Sequence, residues 1–144
     1  MGVVPAELFA SVPVARLATV DAAGAPHLVP IVFAVAGDLI HTAVDAKPKR
    51  SRALKRLTNI AARPRVSVLA DHYDDDWSRL WWVRADGMAR ILDSSPAGLA
   101  ALVTRYPQYR RFPPPGPFLE ITVERWSSWA AGDFPLPPRP DRDD

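Results

Sequence analysis

Apolar positions along the chain fall mostly into short runs and alternations of strand length. Val14 to Val20 is apolar and β-branched at intervals, and Asp21-Ala22-Ala23-Gly24 follows as a turn. Pro26 to Val35 predicts a second strand; its nearly continuous apolar run, His27 to Phe33, is what burial on both faces would select. Pro30 has no N–H for a ladder, so an edge or a bulge is expected there. Ala36-Gly37-Asp38 turns the chain into Leu39 to Val44, and these three strands read as a meander.

Helical spacing comes next. Leu54, Leu57 and Ile60/Ala61 place a helix over Ser51 to Ala62, which Pro64 ends. Val66 to Asp71 is a fourth strand, and Leu80 to Leu92 is strand-like, with Asp86-Gly87 a hairpin turn or a bulge, of which local rules favour the turn. Alternation sends Trp81 and Trp82 to opposite faces, so one can enter the core and the other needs a second cover. Ser94-Ser95-Pro96 starts a helix whose face is Leu99, Leu102, Val103 and Tyr106. Leu119, Ile121 and Val123 then alternate with polar residues in a last strand reaching Trp126. A short helix over Pro5 to Ala10 precedes everything. Strands in hairpins, not repeated strand–helix units, predict a mainly β fold: a small antiparallel barrel of six strands with flanking helices. Residues 1–131 form one domain, and 132–144, with four prolines and a charged end, read as a loose tail.

Composition narrows the chemistry. The absence of cysteine removes disulfides, thiolate metal sites and thiol nucleophiles. The opening residues lack a signal-peptide pattern and no apolar stretch is long enough to span a bilayer, so a cytoplasmic protein with no membrane partner is expected. His27, His41 and His72 lack metal-site spacing, and Gly-x-Ser-x-Gly is missing. No metal site and no catalytic side chain is therefore assigned.

Net charge is only +2, yet eight cations and no acid lie between Lys47 and Arg65. Lys47, Lys49, Arg50 and Arg52 stand where the helix begins, the end at which the macrodipole disfavours cations. A bound phosphate would reverse that cost by joining orphan N–H groups and side chains on one anion. With so local a cluster, one anionic ligand fits better than nucleic acid. Without glycine the segment is not a triphosphate-cradling loop.

These residues resemble a family. Ala15 to Ile31 is similar to the first hairpin of pyridoxamine-phosphate-oxidase-like split barrels, with its pattern ATxxxDGxPHxxPV. The cationic helix start followed by Arg63-Pro64-Arg65-Val66-Ser67-Val68 resembles the next block. Asp74-Asp75-Asp76-Trp77-Ser78 with Gly87-Met88-Ala89-Arg90-Ile91 is similar to the deazaflavin-using branch. The resemblance implies a six-stranded split barrel of the FMN-binding type, a homodimer, and a cofactor between subunits. It implies ring contacts at Pro30, Ile31, Val32 and Phe33 and at Thr42, Ala43 and Val44. It implies phosphate contacts from Lys49, Arg50 and Arg52, with Lys55 or Arg56 as replacements, and a loop contact from Trp77 and Ser78. It also reads Leu80 to Leu92 as one strand past Gly87, in place of the hairpin.

The activity implied is an oxidoreductase moving hydride between coenzyme F(420) and an unsaturated small-molecule substrate. FMN is the alternative cofactor. Tyr73, Ser78 or water are the proton-donor candidates. A non-catalytic cofactor or haem binder, with His41 or His72 as axial ligand, is the rival.

Overall fold

The computed structural model describes residues 5–44 and 50–131, the side chains of 50–54 excepted. The predicted tail, 132–144, lies outside the described residues.

The order is α1 (Pro5–Ala10), β1 (Ala15–Val20), β2 (Pro26–Ile31), β3 (Ala34–Ala36), β4 (Leu39–Ala43), α2 (Arg50–Ala62), β5 (Arg65–His72), β6 (Trp81–Leu92), α3 (Pro96–Arg105) and β7 (Phe118–Ala130). Short 3-10 helices cover Trp77–Arg79 and Pro107–Arg110. The strands form one antiparallel sheet in the order β2-β1-β5-β6-β7-β4-β3.

This corrects the expected count of six strands to seven. The run read as one strand from Pro26 to Val35 breaks at Val32 and Phe33, and its two parts lie at opposite edges of the sheet. The expected meander is likewise two separate hairpins, β1–β2 and β3–β4. Two residues cannot cross a flat sheet of seven strands, at nearly 5 Å per strand. The sheet must curl until its edges meet, and the Val32–Phe33 crossover is the seam. Pro30 lies on an edge strand, where its missing N–H is tolerated.

Strand alternation sorts the side chains. Leu17, Val68, Trp81, Val83 and Ile121 point inward and are buried, joined by Leu8 and Phe9 of α1 and Ile60 of α2. Phe9 stacks edge-on against Phe33 and Trp126, with centroids 5.0 and 5.3 Å away. On the outer face α3 covers only one side, where Leu102 and Tyr106 pack on Ala34, Ala43 and Phe118. Ser95 caps α3 by accepting from Gly98 N, and Pro96 occupies its first turn as expected.

β6 is a single strand, so the hairpin suggested by Asp86-Gly87 does not form. Asp86 pairs with Arg125 but Gly87 with Val123, a bulge that skips Glu124. A Cβ on Gly87 would overlap the Thr122 carbonyl, which is why glycine stands there.

Candidate functional site

The crossover is held by side chains. Thr42 Oγ1 donates to Val32 O at 2.7 Å. Tyr106, at the end of α3, accepts from Phe33 N at 2.9 Å. Its single proton is offered to Phe33 O or Pro13 O, each 2.9 Å away. Val44 N donates to Pro117 O at 3.0 Å. The two predicted ring-contact segments, Pro30–Phe33 and Thr42–Val44, are therefore neighbours in space. Within them Ile31, Phe33, Thr42 and Ala43 are buried, Val32 and Val44 are half-buried, and Pro30 is exposed. The buried polar groups of Phe33 are already satisfied inside the protein, so a ligand here meets the outward side of Pro30 to Val32.

Of the predicted phosphate contacts, Lys49 lies outside the described residues, while Arg50 and Arg52 occupy the first turn of α2. That turn holds no acidic residue to satisfy its free N–H groups or its dipole. Several other cations of the cluster have partners distant in sequence. Lys55 Nζ is 3.4 Å from Asp21. Arg63 donates to the carbonyls of Asp21 and Ala22, both at 3.0 Å. Arg65 pairs with Glu124 at 3.0 Å. Asp21 is held below the usual carboxylate range, chiefly by the Ala25 N–H, with further help from Lys55 and the Ala23 N–H. These contacts fix the β1–β2 turn and α2 together. Asn59 adds a buried bond to Thr19, 2.9 Å.

Trp77 and Ser78 follow the end of β5 opposite to the one α2 leads into. Trp77 is 75% exposed, and Ser78 Oγ donates to Asp76 at 2.6 Å. His72 bonds Asp74 at 2.9 Å, and His41 is buried near Gly98 and Ser95 beneath α3. Haem ligation by His41 would need α3 to move. Among the described residues, no group of three or more potential metal ligands gathers.

Sequence reasoning missed a groove of about 610 Å3 on the outer face of β2, β1, β5 and β6. Arg16, Leu28, Leu69, Tyr73, Trp82 and Arg84 line it. No helix among the described residues covers this face. Leu28 is 66% and Tyr73 69% exposed. Arg84 sits over the Trp82 ring at 6.0 Å and pairs with Asp86 at 3.2 Å; Arg16 faces Asp71 at 3.7 Å. The only signal in the sequence was the alternation that left Trp82 needing a cover; the ladder register supplied the rest.

A curled antiparallel sheet with flanking helices and an uncovered groove on part of its outer face defines a class of mainly β, split-barrel-like proteins. Within that class the chain belongs to the pyridoxamine 5'-phosphate oxidase family, whose sequence profile matches residues 6–130. Solved structures share the fold at low identity. A conserved hypothetical protein from Mycobacterium tuberculosis is 24% identical with a TM-score of 0.63, covering 87% of this chain and 81% of its own. An FAD-binding protein from Mesorhizobium loti is 22% identical, TM-score 0.64, covering 85% and 88%. The haem storage protein HutZ from Vibrio cholerae is 16% identical, TM-score 0.64, covering 92% and 96%. A comparison with curated proteins finds no match.

Proposed function

We propose that the protein is a homodimeric, cytoplasmic oxidoreductase that binds a flavin-type cofactor, with coenzyme F(420) as first candidate and FMN as the alternative. The observation that carries this reading is the presence in one chain of an acid-free, arginine-bearing first turn of α2 and of a seam whose backbone is held by side-chain hydrogen bonds. The first suits a phosphate, and the second suits a flat ring. Family membership supports a flavin-type cofactor.

A bound deazaflavin or flavin supplies the hydride chemistry. The chain's own residues then bind and orient. Arg50 and Arg52 with the α2 N–H groups hold the phosphate, and Lys49 joins them. Pro30 to Val32 and Val44 flank the ring. Trp77 and Tyr73, both exposed, are available to shield it from water once a second subunit covers the face.

The uncovered groove supports the dimer. Its lining carries both signs of charge, Arg16 and Arg84 with Asp71, among apolar and aromatic surface. A two-fold axis lets each sign meet its opposite. The test is a fluorescence titration with coenzyme F(420) and, separately, FMN. Saturable binding of either supports the reading, and the tighter one names the cofactor. Lys49→Ala and Arg52→Ala should each weaken it by about 1–3 kcal/mol. Binding of neither cofactor refutes it.

A further inference from the structure

Tyr106 belongs to no predicted contact and Thr42 to a predicted ring contact, and both bond the seam. Tyr106 holds both polar groups of Phe33, and its ring is buried against α3 and the outer face. Thr42, itself 1% exposed, holds Val32 O through its hydroxyl. The same tyrosine reaches Pro13, and its neighbour Arg105 donates to Val12 O at 2.9 Å. The end of α3 thus ties the entry of β1 to the seam between β2 and β3. Val32 is half-buried, with the ring-facing segment Pro30 to Val32 running directly into this clamp. Main-chain position at Val32 and Phe33 is set by the Thr42 bond to Val32 O and by the Tyr106 hydroxyl, which accepts from Phe33 N and shares its proton between Phe33 O and Pro13 O, since no ladder passes through the break.

We propose that Tyr106 and Thr42 are positioning residues that fix the main chain of the seam through hydrogen bonds and thereby set how tightly the cofactor ring is held. The inference rests on the functional reading above. Removing the phenol hydroxyl leaves the buried Phe33 N–H unpaired, and the segment shifts to find a partner.

The experiment measures dissociation constants for coenzyme F(420) and FMN, with melting temperatures, on the full chain. Tyr106→Phe keeps the ring, and Thr42→Val keeps the shape. Each should weaken the bound cofactor by about 3- to 10-fold. Thr42→Ser keeps the hydroxyl and should restore wild-type affinity. Val66→Ala, in the core of β5 away from the seam, should lower the melting temperature while leaving affinity unchanged. Wild-type affinity in both Tyr106→Phe and Thr42→Val, or equal losses in Val66→Ala, would overturn the proposal alone. Failure of the wild type to bind either cofactor would overturn the functional reading and the proposal with it.

Discussion

Tyr106 joins three parts of the molecule through one oxygen, and burial raises its phenol pKa, with the Phe33 bond and Arg105 opposing less strongly. In the unfolded chain a tyrosine titrates near about 10. Between that value and the higher folded one, the unfolded chain has lost a proton that the folded chain keeps. Stability from this group is therefore complete below about pH 10 and falls as pH rises through the window. Alkaline denaturation should show this slope, and Tyr106→Phe should flatten it. A Phe variant with the wild-type slope would show that other groups carry it. At this scale the sequence was legible where a residue acts through its immediate neighbours, as Ser95 and Pro96 do at the start of α3. It was not legible where partners are far apart. The cations after Lys47 read as one free positive segment, but Lys55 and Arg63 bind the β1–β2 turn and Arg65 binds Glu124. A charge count along the chain overstates what remains for a ligand.

Among the elements, β6 and β2 carry the two departures from local rules. Asp-Gly favours a turn, but Gly87 is a bulge residue pressed against the Thr122 carbonyl. Gly87→Ala should destabilise the protein by about 1–3 kcal/mol. The midpoint in urea would fall at an unchanged denaturant slope if the sheet stays one cooperative unit. Both glycine roles, turn and close approach, suit the same residue, so only the register decides. The break after β2 was hidden for a different reason. Ile31, Val32 and Phe33 are apolar like their neighbours, and neither glycine nor a polar cluster interrupts them. What ends the strand is the curl of the whole sheet, a property of all seven strands. By contrast the opposite facing of Trp81 and Trp82 follows from the two-residue period and holds: Trp81 is buried, and Trp82 lines the outer groove.

For the whole molecule the open question is what covers the outer face of β2, β1, β5 and β6. A second copy is the proposed cover, so light scattering should give twice the chain mass. Leu28→Asp, placing a charge at an exposed apolar position in the groove, should yield monomers that keep the wild-type circular dichroism spectrum. A wild-type chain already monomeric at working concentration would leave the groove to another occupant. A mainly β antiparallel barrel with flanking helices was readable from the order of hairpins and helices, because each element buries one face and few arrangements satisfy all of them, while its split-barrel type came from the resemblance. The strand order was not, since it depends on pairing between residues at opposite ends of the chain.

That strand order has a consequence for biosynthesis. β4 lies between β3 and β7, and Leu39 to Ala43 pair with Phe118 to Thr122. As the polypeptide leaves the ribosome, β1, β2, β5 and β6 can assemble beside one another as they emerge. The β3–β4 hairpin, made early, has no place in the sheet until the last strand arrives. Any chain halted before Phe118 carries that hairpin with an unpaired edge, the kind of surface chaperones recognise and aggregates grow from. The fold is committed only when its final strand has been made.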